Sequence, residues 1–281
     1  MSELAHGIVV GGGTMGAGIA SVLARAGLET ELVEPSEELA EAGIERARAA
    51  IADGVARERI SAADGEAAIA RLRTVAGIER ATPGPRLIVE AVPERVELKQ
   101  EVLLSAERLE PALLATNTSG ISIDTLAAPL ADPSRFIGLH FFNPVPAMAL
   151  VEVVVGERTS GKTREDAVAL VAELGKEAVV VDDAPGFATS RLGLALGLEA
   201  IRMVEAGVAA AADIDRAMVL GYRHPVGPLR LTDIVGLDVR LDIARNLQEA
   251  YGERFAPPRL LEAMVEEGRL GKKSGRGFFE W

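Results

Sequence analysis

His140 lies in the run Gly138-Leu-His-Phe-Phe-Asn-Pro-Val-Pro146, and Glu152 stands twelve residues further on, inside the apolar stretch Leu150-Val-Glu-Val-Val154. An imidazole can take a hydroxyl proton near neutral pH, and a carboxylate beside it fixes the tautomer and stabilises the imidazolium that forms. A carboxylate in an apolar strand costs several kcal/mol, roughly, unless it is paired. His140 is its natural partner. Spacing alone leaves a second reading open, in which a buried histidine and an edge-strand glutamate have separate partners. Ala115-Thr-Asn-Thr-Ser119-Gly120 ends another apolar run in small and polar residues. Ser119 there can hydrogen-bond a reacting oxygen, and Asn117 can line a nicotinamide site. The same residues equally suit a strand-to-loop exit with local side-chain-to-backbone bonds.

A second constellation points to the reaction partner of such a base. Gly11-Gly12-Gly13-Thr14-Met15-Gly16 matches G-x-G-x-x-G. Gly11 permits a tight turn, Gly13 lets backbone approach a pyrophosphate, and Gly16 allows close helix–strand packing, while Thr14 and Met15 open a helix whose N-terminus faces the phosphates. Glu34 ends the next strand, 23 residues after Gly11, where a carboxylate accepts hydrogen bonds from ribose hydroxyls and repels a 2′-phosphate. The cofactor predicted is NAD rather than NADP. A glycine turn alone is a weak signal, but here it follows a strand, opens a helix and has its acidic partner.

The elements that must position these groups alternate in the α/β manner. Gly7 to Val10 and Thr30 to Val33 are predicted strands, with a helix from Thr14 to Ala26 between them. Ser36 and Ser61 are N-cap candidates for a helical hairpin, the first helix reaching about Asp53 and the second about Arg73, which leaves the sheet as an excursion. Strands follow at Leu87–Val92, Leu113–Thr116, Phe136–His140, Val151–Val155 and Ala178–Val181, with a helix capped by Thr163 between the last two. After Asp183, Ala-Pro-Gly breaks the pattern and only helices are predicted, the first with Leu192, Leu196, Ile201 and Val204 as its apolar face. The expectation is a doubly wound (Rossmann-type) dinucleotide-binding domain over 1–183 and an all-α substrate and dimerisation domain over 184–281.

Composition excludes several other classes. The chain has 281 residues, 48% hydrophobic and 26% charged, with a formal charge of 30 minus 42, or −12. That balance disfavours nucleic acid and anionic lipid as partners. There is no cysteine, and His6, His140 and His224 lie far apart, so no thiol nucleophile and no metal site are predicted. No leader-like start and no long apolar run occur. A cytoplasmic location is the expectation, with no membrane partner.

Taken together, Gly11 to Ala20, Ile88-Val-Glu-Ala-Val-Pro-Glu94 with Lys99, Thr116-Asn-Thr-Ser119, His140-Phe-Phe-Asn-Pro-Val-Pro146 with Glu152, Pro185-Gly-Phe187, Pro225-Val-Gly-Pro228, Gly236-Leu-Asp238 and Gly271-Lys-Lys-Ser-Gly-Arg-Gly-Phe278 resemble the L-3-hydroxyacyl-CoA dehydrogenase family over nearly the whole chain. The length suits its stand-alone 3-hydroxybutyryl-CoA dehydrogenase branch. The resemblance implies reversible, NAD-dependent oxidation of a short-chain (S)-3-hydroxyacyl-CoA, in a homodimer joined through the C-terminal domain. It implies His140 as general base, Glu152 as its orienting carboxylate, Ser119 at the substrate 3-oxygen, Asn143 near the acyl group, and Glu94 and Lys99 at the cofactor. Three positions depart from the family pattern. Ser190 replaces an asparagine that helps polarise the substrate carbonyl, Leu198 replaces a second asparagine, and Ala149 replaces a lysine. Two rivals stand beside this reading: a dehydrogenase of a free hydroxy acid of the L-gulonate or carnitine type, and a non-catalytic NAD-binding protein.

Overall fold

Ile8, Val9 and Val10 carry no polar side-chain group and are buried, which suits His6–Val10 (β1) to the middle of a sheet. The computed structural model describes residues 6–281. Two units divide the chain, Met1–Asp183 and Ala184–Trp281. In the first, β1 is followed by Thr14–Arg25 (α1), Glu29–Glu34 (β2), Glu37–Ala56 (α2), Ala62–Ala70 (α3), Leu72–Ala76 (β3), Leu87–Glu90 (β4), Val96–Glu107 (α4) and Leu113–Thr116 (β5). Ile123–Ala127 (α5), Phe136–Phe141 (β6), Leu150–Val155 (β7), Gly161–Glu173 (α6) and Glu177–Asp182 (β8) complete it.

The eight strands form one sheet in the order β3-β2-β1-β4-β5-β6-β7-β8. Every neighbouring pair is parallel except β6 and β7, which are antiparallel. This is the doubly wound architecture that the alternation predicts. Strand order reverses between β1 and β4, and ligands of such sheets bind in the crevice beyond the carboxyl ends of the strands at that point. Val9, Leu32, Val89, Ala115, Ile137 and Val153 belong to one buried cluster that holds the sheet under its helices. Fully burying each valine or leucine there contributes about 1.5–3 kcal/mol.

The helical hairpin exists, and its exit differs from expectation. Ser36 Oγ accepts from Leu39 N and Ser61 Oγ from Asp64 N, so both caps are as predicted. The second helix, however, stops at Ala70, and Leu72–Ala76 becomes a strand beside β2. The hairpin is thus the crossover between neighbouring strands. β3 is an edge strand with one fully buried side chain, Leu72, so it carries little of the alternation that betrays a strand. A second correction concerns α6. Its N-cap is Ser160, whose Oγ accepts from Thr163 N at 3.1 Å, while the Thr163 hydroxyl donates to the Ser134 carbonyl at 2.7 Å. Two hydroxyl residues three apart both satisfied the capping pattern.

His6 is half-buried and lies 3.6 Å from Glu31. Glu31 also accepts from Thr82 N at 3.0 Å and from the Thr82 hydroxyl at 2.6 Å. Burial pushes the Glu31 carboxyl up, but His6 and Thr82 outweigh it and hold the group at about 2, against an ordinary 4.5. A carboxyl lowered on folding contributes stability that is full above its unfolded value and is lost as pH falls through the folded one. Acid unfolding followed by circular dichroism should therefore show a Glu31 contribution disappearing between pH 4.5 and about 2. In Glu31→Gln that pH-dependent part is expected to vanish; an unchanged acid limb would refute it.

The second unit contains Thr189–Glu205 (α7), Ala211–Tyr222 (α8), Pro228–Val235 (α9), Leu237–Tyr251 (α10) and Arg259–Glu266 (α11). It has no named strand, as the pattern predicts, and only isolated bridges among Gly271, Arg276 and Glu280. Asp233, at the end of α9, is fully buried and accepts from Phe278 N, Phe279 N and Trp281 Nε1, each at 2.9 Å. That single carboxylate ties the C-terminal tail to the helices. The buried face of α7 is Leu194, Gly197, Leu198, Ala200 and Ile201, whereas Leu192 is 71% exposed. The expected face is met at Ile201 and, in part, at Val204, but it is rotated toward Leu194 and Leu198, which are buried where Leu192 is not. Among the described residues no helix is long and apolar enough to cross a membrane.

Candidate active site

The glycine turn is built so that no other residue fits at Gly11 or Gly16. Gly11 has φ +105°, and a Cβ there would lie 2.7 Å from the Ala91 carbonyl oxygen. A Cβ on Gly16 would lie 1.7 Å from the Gly11 carbonyl oxygen, while one on Gly13 would meet nothing within 4 Å. Two glycines therefore press backbone against backbone, and the one between them faces open space. α1 starts at Thr14, with Met15 in its first turn and no acidic residue there, so its positive end is not neutralised.

Glu34 and a residue unforeseen in the sequence brace this turn. Gly12 N donates to Glu34 Oε1 at 2.5 Å, and the Gly12 carbonyl accepts from Arg46 at 2.9 Å. Arg46 belongs to α2, and no local signal connects it with a glycine 34 positions earlier. Beside the turn, Gly11, Glu34, Ile78, Val92 and Leu98 line a cavity of about 490 Å³. These features fit a dinucleotide: a cradle that a Cβ would fill, a helix end for phosphate and a carboxylate at the end of β2 for ribose.

Beyond β4 and β5 lies a buried charge network. Glu90 is fully buried and accepts from Lys99 Nζ at 2.8 Å, Val92 N at 2.7 Å and Thr116 Oγ1 at 2.6 Å. Lys99, 1% exposed, also donates to the Val92 carbonyl at 3.1 Å and sits 3.3 Å from Glu94. Its three N–H groups are thus occupied inside the domain. The expectation places Lys99 at the cofactor, whereas its ammonium is buried and engaged by these protein groups. Glu94 accepts from the Thr118 hydroxyl at 2.6 Å and from Ser119 N at 2.9 Å. Burial would raise the Glu94 carboxyl, but Lys99, Thr118 and Ser119 outweigh it and keep it below the usual range. The Ser119 hydroxyl is 3.4 Å from the same oxygen, a weak bond that leaves it able to turn. Asn117 also links two strands. Its N donates to the Glu90 carbonyl at 2.8 Å and its Oδ1 accepts from Phe141 N at 2.9 Å, which ties β5 to the end of β6.

His140 and Glu152 face each other directly across the antiparallel pair β6–β7. Opposite residues in such a pair point to the same face with neighbouring Cβ atoms, and here His140 Nδ1 lies 2.8 Å from Glu152 Oε2. Glu152 is fully buried and His140 6% exposed. Phe142 packs against the imidazole, ring centroids 4.3 Å apart. The loop that joins the two strands is pinned by Lys176, which donates to the Val145 and Met148 carbonyls at 2.7 and 2.6 Å. Burial lowers the Lys176 pKa, with Arg25 adding to the effect. Asn143 is exposed on that loop. Ser190 is in the second unit, half-buried in the first turn of α7.

The open question of the paired or separate His and Glu is settled by register: they are paired. A buried imidazole whose Nδ1 is held by a carboxylate keeps Nε2 for another partner, which is the arrangement of a general base.

Known proteins resemble this chain over nearly its whole length. Residues 7–184 match the family model described as "3-hydroxyacyl-CoA dehydrogenase, NAD binding domain", and residues 186–281 match "3-hydroxyacyl-CoA dehydrogenase, C-terminal domain". The 3-hydroxybutyryl-CoA dehydrogenase of Mycobacterium tuberculosis is 42% identical, covering 97% of each chain. A probable 3-hydroxybutyryl-CoA dehydrogenase of Bacillus subtilis is 39% identical over 99% of this chain and 98% of its own. Among solved structures, the (S)-3-hydroxybutyryl-CoA dehydrogenase PaaH1 of Ralstonia eutropha superposes with a TM-score of 0.94 at 35% identity, covering 99% of both chains.

Proposed function

The chain belongs to the 3-hydroxyacyl-CoA dehydrogenase family, and from that premise we propose that it reversibly oxidises a short-chain (S)-3-hydroxyacyl-CoA to the 3-oxoacyl-CoA in an NAD-dependent reaction. The observation that carries this reading is the 2.8 Å contact between His140 Nδ1 and Glu152 Oε2, both buried. Glu152 accepts a hydrogen bond from Nδ1–H, so Nε2 keeps its lone pair and takes the 3-hydroxyl proton. Bound NAD⁺ supplies the hydride acceptor. As proton and hydride leave, the carbon–oxygen single bond becomes the carbonyl, and the imidazolium charge is offset by Glu152.

The remaining roles follow from placement. Gly11, Gly13, Thr14, Met15, Gly16 and Glu34 would hold the dinucleotide. Glu94, fixed by Lys99, sets the backbone of Ser119, whose hydroxyl donates to the 3-oxygen. Asn143 would lie near the acyl group, and Ser190 stands at the position where the family carries an asparagine that polarises the substrate carbonyl. The second unit also exposes Leu192, Val208, Leu220 and Tyr222, between 63% and 76%. Such a set of exposed large apolar groups supports a homodimer contact through this unit, and light scattering at micromolar concentration should return twice the mass of one chain.

The assay that tests the function follows NADH oxidation with acetoacetyl-CoA, free acetoacetate and NADPH as controls. Turnover of acetoacetyl-CoA with NADH, and little with the other two combinations, is expected. Faster reaction of the free acid would replace this reading with a hydroxy-acid dehydrogenase. NADH binding without turnover of any acyl-CoA would replace it with a non-catalytic binding protein.

A further inference from the structure

Helix α2 meets the glycine turn glycine to glycine. A Cβ built on Gly12 would lie 2.9 Å from Gly43 Cα and 2.9 Å from the Leu32 side chain, and one on Gly43 would lie 3.0 Å from Gly12 Cα. The two bare backbones therefore touch. Gly12 has no positive φ, so its missing side chain serves the approach of α2 rather than the turn itself. Arg46 lies three residues beyond Gly43, on the same side of the helix, and from there its Nη1 donates to the Gly12 carbonyl at 2.9 Å.

The charge that this contact brings to the turn has no counter-charge in the protein. Arg46 is exposed, and among the described residues no carboxylate is ion-paired with it. The neighbouring acids of α2 are taken by another arginine, since Glu41 and Glu45 both pair with Arg48. Glu34 bonds the other end of the same residue, Gly12 N, through Oε1. A neutral carbonyl needs one donor, and a guanidinium brings five, so most of the fork is left for a ligand. Gly13 faces open space, and α1 begins at Thr14 with no acidic residue in its first turn. Thr14 is two residues from Gly12, at most about 7.6 Å between Cα atoms, which is within a Debye length of about 8 Å. The guanidinium and the positive end of α1 therefore act on the same charge.

We propose that Arg46 is a cofactor-binding residue, whose guanidinium meets the diphosphate of the dinucleotide from the side of α2. The inference rests on the reading of the glycine turn as the dinucleotide site and deepens it. The diphosphate then has two positive partners, the N-terminus of α1 and the guanidinium, while Glu34 keeps the ribose. Acyl-CoA carries a diphosphate as well, but the carbonyl that Arg46 bonds belongs to the glycine turn itself, which favours the dinucleotide. In a chain of formal charge −12 a local cation decides the sign of the field, because the protein as a whole repels an anion.

The test reads binding rather than turnover. NADH affinity is measured by fluorescence titration for the wild type, Arg46→Gln and Arg46→Lys, and ADP-ribose and adenosine are measured by displacement of NADH. Arg46→Gln should weaken NADH and ADP-ribose by about three- to tenfold, the scale of one charge-assisted bond at a partly exposed site. Adenosine, which has no phosphate, should stay within about twofold. Arg46→Lys should keep part of the affinity, since an ammonium keeps the charge without the fork. Salt supplies a sign. Wild-type affinity for ADP-ribose should fall as ionic strength rises, whereas in Arg46→Gln it should hold or rise, because salt then screens mainly the repulsion of an acidic protein. Equal affinity of wild type and Arg46→Gln for ADP-ribose overturns the proposal, as does an Arg46→Lys that binds no better than Arg46→Gln. Equal weakening of adenosine and ADP-ribose also overturns it and reduces the arginine to a brace for the turn. A raised KM for acetoacetyl-CoA with NADH affinity unchanged overturns it too, and would place the guanidinium at the diphosphate of CoA. Wild-type affinity for ADP-ribose that does not fall with salt overturns it without any variant, even where Arg46→Gln does not fold. In each of these cases NADH binding by the wild type leaves the dinucleotide reading standing; no binding of NADH or ADP-ribose overturns both together.

Discussion

Replacing His140 by glutamine is expected to lower kcat for 3-hydroxyacyl-CoA oxidation by about 10²–10⁴-fold, the range for loss of a positioned general base. Glutamine keeps a polar side chain of similar reach but cannot accept a proton at neutral pH. Its neighbour, Glu152, is fully buried and loses its 2.8 Å imidazole partner, so some loss of stability accompanies the loss of rate. The two effects separate experimentally. The glycine cradle and Glu34 lie on β1, β2 and α1, away from the β6–β7 pair, so NADH affinity measured by fluorescence titration should stay within about twofold while kcat falls. An interaction made mainly in the transition state shows itself in that way, as a loss in kcat with little change in ground-state binding. A His140→Gln protein that binds NADH normally and keeps wild-type turnover would end the base assignment. One that loses NADH binding in proportion to turnover would point to a general loss of fold instead. Glu152→Gln should lie between the two, since a neutral amide can still orient the ring but no longer offsets the imidazolium charge.

How much of this was legible in the sequence depended on how local each signal is. The glycine turn, the caps at Ser36 and Ser61 and the carboxylate at Glu34 are patterns within one or two elements, and local sterics and hydrogen bonds reveal them. From spacing alone the pairing of His140 with Glu152 was legible only as two incompatible readings, because the register of β6 on β7 depends on the loop between them and not on either strand alone; the family resemblance favoured the pair. The edge strand β3 was invisible for a plain reason: with one buried side chain it lacks the apolar alternation that marks strands. The face of α7 was legible in part: Ile201 packs inward as expected, while Leu194 and Leu198 take the buried positions and Leu192 is exposed, a rotation that an apolar helix with several leucines does not reveal from spacing alone. Arg46 carried no sequence signal, since it meets a residue 34 positions away. Glu90, one acid in an apolar run, invited the same argument as Glu152, but spacing did not name Lys99 as its partner. Charged side chains of this kind are recognised only when burial is known, since an exposed lysine or arginine needs no explanation.

Lys99 offers the second large effect, on stability. Its ammonium is 1% exposed and is shared among Glu90, the Val92 carbonyl and Glu94. Removing one partner of a buried pair leaves the other charge unpaired and destabilises by about 3–5 kcal/mol, more than most surface contacts contribute. Lys99→Met keeps most of the side-chain length and strands the fully buried Glu90 carboxylate with two neutral donors, Val92 N and Thr116 Oγ1. Urea unfolding should place the loss in that range. Glu90→Gln in the same protein neutralises the stranded charge and should return a substantial part of it, a coupling that a double-mutant cycle reads directly. Equal stabilities of Lys99→Met and the double variant would show that the two side chains contribute independently, contrary to the ion-pair account. The same substitution reaches the site chemistry by a second route. Lys99 is the main charge holding the Glu94 carboxyl low, and Glu94 in turn receives the Ser119 backbone N–H and the Thr118 hydroxyl. Without the lysine, the loop that carries the Ser119 hydroxyl loses the charge that anchors it, and KM for the acyl-CoA should rise along with the loss of stability. Restoring the charge with Lys99→Arg would not restore the geometry, since a planar guanidinium is a poor substitute for three diverging N–H donors in a cavity shaped around an ammonium.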